Sequence, residues 1–236
     1  MALERLDKLV STAAGISRND ARIAIKTGRV LVDGNMVKDF AQKTDTAAQL
    51  SLNGEDITYR KYVYFMLNKP AGILSASNDK QRKTVVDIVA ESCRVKGLFP
   101  VGRLDKDTTG LLIITNDGDY GHKVISPKSF IEKEYVAAVD KPITEKDIEI
   151  LSLGVTLADG NKCRPAAVTV LSNDRKEVSI VITEGKYHEI KRILGVVGAG
   201  VNSLNRIRIG KLPLDGQLAQ GEYRELTEEE CDLVLK

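Results

Sequence analysis

Residues 102–120, GRLDKDTTGLLIITNDGDY, set Asp105 and Asp107 among Arg103, Lys106, Thr108 and Thr109, directly ahead of an apolar run at 111–114. Three chemistries suit that spacing. The polar residues can form a solvated turn before a buried strand. They can form a calcium loop, because Asp105, Asp107, Thr109 and Gly110 fall at the first, third, fifth and sixth positions of the EF-hand pattern. They can also hold a catalytic carboxylate at the edge of a cleft. Calcium fails: such a loop needs a bidentate Glu at its twelfth position, which here is Asn116, and positions seven to eleven read Leu-Leu-Ile-Ile-Thr, a buried strand. The turn and the catalytic site remain.

Other constellations lack their partners. The chain has two histidines, His122 and His188, and YHEIKR places Arg192 where a zincin needs its second His. No Cys pair accompanies a His-x-Glu, as a zinc deaminase requires. There is no Gly-x-x-x-x-Gly-Lys phosphate loop and no Gly-x-Ser-x-Gly elbow, and GVVGAG lacks dinucleotide spacing. The expectation is chemistry with no metal and no cofactor, built from a carboxylate, aromatic rings and basic groups.

Composition bounds the partners. With 236 residues, 42% hydrophobic and 29% charged, the chain can bury a proper core. No apolar run reaches the length of a membrane span, and the opening MALERLDKLV carries charges where a signal peptide would be apolar. Cys93, Cys163 and Cys231 are odd in number and far apart, which predicts free thiols in a cytoplasmic protein. Net charge is only +2, but it is unevenly distributed. Arg5, Lys8, Arg18, Arg22, Lys26 and Arg29 face three acidic residues before position 33. Lys186, Lys191, Arg192, Arg206, Arg208 and Lys211 face Glu189 alone. Two basic patches on a nearly neutral chain point to nucleic acid, the alternative being two solvated helix faces.

Those groups need elements to position them. LERLDKLVSTAAG has helical spacing from Leu3 and stops at Gly15. Ser17 is an N-cap for RNDARIAIKT, which stops at Gly28. RVLVDGNMVKD reads as a hairpin about Asp33-Gly34, and SLNGEDITYRK as the close of that unit and a linker. Beyond it, YVYFMLNK is a strand ended by Pro70 and Gly72. Strand-like runs follow at 111–115, 135–139, 167–171, 177–183 and 201–209, with helices at 84–92, 144–151 and 187–197. The predicted fold is α+β: a small N-terminal domain over 1–58 and a domain with a mixed, largely antiparallel sheet over 59–236.

The motifs RLDKLV, SRNDA and GRVLVDG, in that order, resemble the RNA-binding module of ribosomal protein S4, the alpha-L motif, over residues 3–50. LNKPAGILSA, GRLDKDTTGLLIITNDGD, KEYVAAV and EGKYHEIKRIL followed by NRIRIG resemble, also in order, the pseudouridine synthases that modify uridines of ribosomal RNA.

The resemblance implies roles. Asp105 aligns with the family's catalytic aspartate, which serves while uracil is detached from C1′, turned and reattached through C5. Lys191 takes the place of the basic residue facing that aspartate; a lysine there looks like the small-subunit (16S) rRNA branch. Tyr135 matches the tyrosine that packs on the target base, and Arg103 is a candidate for holding a phosphate or bracing the loop. RNA contacts are expected from Arg5, Lys8, Arg18, Arg22, Lys26, Arg29, Lys186, Arg192 and Arg206. The implied partner is ribosomal RNA or an assembling small ribosomal subunit, met by a monomer away from any membrane. The rival readings are a large-subunit rRNA substrate and a non-catalytic ribosome-assembly factor.

Overall fold

The computed structural model describes residues 2–90 and 95–236. Cys93 and the end of the helix expected at 84–92 lie outside the described residues. Contacts divide the chain into two units: 2–63 together with 90 and 95–97, and 64–89 together with 98–236. Among the described residues no helix is long and apolar enough to cross a membrane.

The first unit runs β1 (Leu3–Arg5), α1 (Leu6–Ala14), α2 (Arg18–Lys26), β2 (Val30–Val32), β3 (Asn35–Met36), β4 (Lys43–Asp45), β5 (Leu50–Leu52) and β6 (Glu55–Ile57). Ser17 caps α2 by accepting from the Asp20 N–H, and Gly15 ends α1 in the left-handed conformation at φ 67°. Leu6, Leu9 and Val10 of α1 pack with Ala21, Ala24 and Ile25 of α2 over Val30, Val32 and Leu50.

Two expectations are corrected here. Leu3 does not begin the helix; it is 63% exposed in β1, which pairs with β4. SLNGEDITYRK closes this unit as expected, but its residues 51–57 are structured and are not linker. Its Asn53-Gly54 turn, both residues at positive φ, joins β5 to β6 in a sheet of order β3-β2-β5-β6. Leu52, Ile57 and Tyr59 pack on the core of this unit, so the segment belongs to it.

The second unit contains β7 (Tyr64–Lys69), α3 (Val85–Ala90), β8 (Phe99–Pro100), β9 (Thr109–Thr115), α4 (Gly118–Ile125), β10 (Lys133–Val139), α5 (Glu145–Ser152), β11 (Ala167–Val170), β12 (Glu177–Ile182), α6 (Glu189–Val196), β13 (Val201–Ile209), β14 (Leu212–Pro213), β15 (Tyr223–Glu225) and α7 (Glu228–Val234). Its sheet has the order β11-β12-β10-β13-β9-β7-β15 and is antiparallel except where β13 meets β9. The fold is α+β, with a mixed, largely antiparallel sheet.

The centre of this sheet is the run that follows Asp105. Residues 110–115 of β9 are buried without alternation, because both faces of the strand are covered. On one face Leu111 and Ile113 meet Met66, Tyr120 and Val124 of α4 and Val234 of α7. α4 was not anticipated; Asp117 caps it by accepting from the Asp119 and Tyr120 N–H groups. The Gly in Thr-Thr-Gly has a specific task. Gly110 adopts φ 99°, and a Cβ there would come within 2.3 Å of the Arg206 carbonyl oxygen. Only glycine lets β13 approach the strand that carries the Asp105 loop.

Candidate active site

Asp105 lies in the loop between β8 and β9, four residues ahead of the strand and not at the strand's own end. That loop is held from several sides. Ser75 Oγ donates to the Leu104 carbonyl at 2.8 Å and accepts from its N–H at 3.1 Å. The Gly72 N–H donates to the Lys106 carbonyl at 2.7 Å, and the Thr108 N–H closes a turn onto the Asp105 carbonyl at 3.1 Å. Beneath it Lys69, fully buried at the end of β7, donates to the carbonyls of Pro70 (3.0 Å), Lys106 (3.2 Å) and Thr108 (2.8 Å). Burial lowers the Lys69 pKa to about 8, and the charges of Asp107 and Asp105 resist the fall.

The Asp105 carboxylate meets two basic groups from one segment. Lys191 Nζ lies 3.3 Å from Oδ2, and His188 Nε2 lies 3.4 Å from Oδ1. The helix α6 explains both placements. Ile190, Ile193 and Leu194 form its buried stripe, and Lys191 stands off that stripe. His188 is the N-cap but makes no capping bond; it sits at φ 50°, ψ 36°, a conformation sparsely used by residues with a Cβ. That backbone turn directs the imidazole toward Asp105.

Lys191 also serves Asp107, at 2.7 Å to Oδ1 and 2.8 Å to Oδ2. Partial burial disfavours its charge, but the Asp107 hydrogen bond and the Asp105 carboxylate outweigh that and raise its pKa. The same hydrogen bond lowers the Asp107 pKa.

These groups open on a cavity of about 100 Å³, lined by the Asp105 loop, β10, the end of β12, α6 and β13. Tyr135 (7% exposed) and Lys133 (8%) project from β10 into its wall, next to Arg206 of β13. In register, Tyr135 pairs with Arg206 and Lys133 with Ile209, so these side chains share one face of the sheet. Arg206 Nε donates to the Leu111 carbonyl at 2.7 Å and Nη1 to the Tyr135 hydroxyl at 3.4 Å.

Asp105, Tyr135, Lys191, Arg103, Lys186 and Arg206 line this one cavity. Arg103 is exposed at its rim. Arg206 is no surface residue; it is buried in the wall. Lys186 is paired with Glu184 at 2.8 Å, and Arg192 with Asp159. Sequence reasoning missed Lys69, Lys133, Asp107 and His188 as parts of this arrangement. Lys69 and Lys133 had a visible signal, a lysine in the same short motif as the resemblance residues. Burial of those lysines and the sharing of Lys191 had none.

At the start of α6, Glu189 meets Cys163 and Glu184, the ligand-type atoms of the three lying within 4.8 Å of one another. Their oxygens already have protein donors: Glu184 accepts from the Arg164 N–H (2.8 Å) and Lys186, and Glu189 from the Lys186 N–H (2.7 Å). Burial pushes the Glu189 carboxyl up to about 7, and the Glu184 carboxylate adds to the shift. A shared proton suits that pair without a cation.

The other basic residues singled out from sequence lie in the first unit. Arg5, Arg18 and Arg22 converge on the fully buried Asp7 at 3.1, 2.8 and 2.9 Å. Burial opposes its ionisation, yet the three guanidinium groups hold the carboxyl far below its usual range. Arg22 and Lys26 lie over the Phe40 ring at 5.4 and 5.0 Å, Lys8 pairs with Glu4, and Arg29 donates to Thr27 Oγ1 at 3.0 Å.

Known proteins match along the whole chain. The pattern of the RNA pseudouridylate synthase family matches residues 63–195, and that of the S4 domain matches residues 4–43. An uncharacterized RNA pseudouridine synthase of Bacillus subtilis is 42% identical over 234 residues, 98% of each chain. Ribosomal small subunit pseudouridine synthase A of Escherichia coli is 38% identical over 233 residues, 98% of this chain and 100% of that protein. A pseudouridylate synthase of known crystal structure superposes with a TM-score of 0.69 at 33% identity, covering 98% of this chain and 99% of the other. The chain is a member of the RNA pseudouridine synthase family, with an S4 domain at its N-terminal end.

Proposed function

We propose that this enzyme converts a uridine of small-subunit (16S) ribosomal RNA to pseudouridine, with Asp105 as its catalytic carboxylate. The observation that carries the assignment of Asp105 is its setting: a carboxylate on a pinned loop, flanked by Lys191 and His188, at the wall of a cavity that Tyr135 also lines. A uridine must leave its stack to enter such a cavity, which costs a few kcal/mol. Stacking on the Tyr135 ring returns about 1–3 kcal/mol.

Inside, Asp105 acts as nucleophile or base at the junction of sugar and base, with the Lys191 ammonium 3.3 Å from its carboxylate. The C1′–N1 bond breaks, the uracil turns, and C1′–C5 forms as C5 loses its proton. Lys69 holds the loop in place through three carbonyls, and Lys191 stands against the Asp105 carboxylate. In the N-terminal unit, Arg5, Arg18, Arg22 and Lys26 supply a basic face suited to RNA phosphates, with Asp7 fixing the three arginines.

The small-subunit reading is supported by the Escherichia coli relative, whose similarity spans both proteins from end to end. A pseudouridine map of ribosomal RNA from cells with and without the protein tests it. One site lost from 16S rRNA is the expected result; a site lost only from large-subunit rRNA overturns the subunit assignment.

A further inference from the structure

Three buried polar groups in the cavity wall have no task in the account above. Among the described residues, Arg206 Nη2 and Thr108 Oγ1 are buried without a hydrogen-bond partner. Lys133 Nζ, with three N–H donors, has one acceptor there, the Ile131 carbonyl at 2.9 Å. All three residues line the cavity with Asp105 and Tyr135.

This arrangement is costly for the protein alone. A buried cation needs acceptors, and a second cation beside it makes burial worse. Burial and the neighbouring Arg206 charge lower the Lys133 pKa to about 8, with Glu189 in partial opposition. Donors left over in a buried wall call for a ligand that brings acceptors.

We propose that Lys133 and Arg206 form the recognition edge for the target base, donating to carbonyl oxygens of the flipped uracil. Uracil carries O2 and O4 on either side of N3–H, so it presents acceptors to such donors. Cytosine would present its 4-amino donor in place of O4, and a donor facing a donor is rejected. The contact also strengthens during reaction. If the carboxylate attacks at the sugar, the C1′–N1 electron pair leaves with the base and spreads onto O2 and O4. If it adds at C6 of the ring, the displaced pair reaches O4. Both routes move charge toward fixed cationic donors, which are worth more as that charge develops. The pair returns to carbon when C5 bonds to C1′, and the C5 proton is released. The proposal rests on the reading that this cavity receives the target uridine.

The test uses full-length protein and an RNA spanning whichever ribosomal uridine the wild-type enzyme isomerises, so an incorrect subunit assignment does not affect it. Single-turnover rates are compared for RNA with uridine, 2-thiouridine or 4-thiouridine at the target, because sulfur is a poor acceptor. Lys133→Met is expected to slow uridine turnover about 100-fold with RNA affinity changed less than about twofold. Wild type is expected to lose about tenfold with sulfur at one of the two positions, and Lys133→Met to lose less than about twofold there. A merely structural lysine would leave the sulfur penalty equal in both proteins, and that result overturns the proposal. If Lys133→Met does not fold, the wild-type rates decide. A penalty at O2 or O4 supports the recognition edge, and none at either refutes it.

Discussion

Lys191 Nζ stands 3.3 Å from Asp105 Oδ2 while holding both oxygens of Asp107, so one ammonium serves two carboxylates. The hydrogen bond from Lys191 lowers the Asp107 pKa. Asp107 therefore competes with Asp105 for the charge of Lys191.

Removing the cation beside Asp105 should slow the chemical step. Lys191→Met is expected to lower the single-turnover rate about 10- to 100-fold with RNA affinity changed less than about twofold, while Asp107→Asn, which leaves Lys191 against Asp105, should stay within about fivefold of wild type. A wild-type rate in Lys191→Met would remove Lys191 from the site.

Lys69 gives the pH profile an alkaline limb. Its pKa of about 8 means that above this pH it loses a proton and cannot keep three carbonyls satisfied. Activity should fall as pH rises through about 8, with Lys133 deprotonating over the same range. Unfolding is not the cause. A lysine with a depressed folded pKa contributes stability that is full above its unfolded value near 10.5 and lost as pH falls through about 8. Rates and thermal unfolding measured together from pH 7 to 10 check this; flat rates to pH 10 contradict it.

Tyr135 is expected to act through its ring. Tyr135→Phe keeps the stacking face and loses only the long 3.4 Å contact with Arg206, so its rate should stay within about fivefold of wild type. Tyr135→Ala should lose about 10- to 100-fold, the equivalent of ~1–3 kcal/mol of stacking. Equal losses in the two variants would show that the hydroxyl has a chemical task.

Much of this fold is visible in local signals. Ser17 and Thr144 announce the starts of α2 and α5, and the Leu-Leu-Ile-Ile run marks the central strand. The hairpin of β5 and β6 was legible too, since Asn-Gly is a strong turn signal, but the polar residues around it read as a linker. Neither α7 nor α4 is among the expected helices: the capping box of Thr227 and Glu230 at the start of α7 is a local signal that was passed over, while the two glycines of GDYGHKVI hide α4. In the site, ordered motifs name Asp105, Tyr135 and Lys191. The burial of Lys69 and Lys133 arises from strands brought together across the sheet, which no local pattern records.

Asp7 organises the basic face of the first unit. Asp7→Asn should weaken protection of amides in α1 and α2 from hydrogen exchange by roughly 1–3 kcal/mol, at the lower end because its arginine partners are half exposed. Its folded pKa is depressed, so this contribution is present above the unfolded value near 3.8 and lost as pH falls toward the lower folded one. Wild-type protection in the variant would contradict the account.

The central claim is that Asp105 performs the chemistry, and tritium release from RNA labelled at C5 of uridine tests it most directly. The RNA is the transcript in which the wild-type protein forms pseudouridine, with binding measured alongside. Wild type should release tritium from its target uridine, and Asp105→Asn should release none while binding the RNA within about twofold, since Asn keeps the shape and removes the charge and the nucleophile. Release at the wild-type rate from Asp105→Asn would contradict the account.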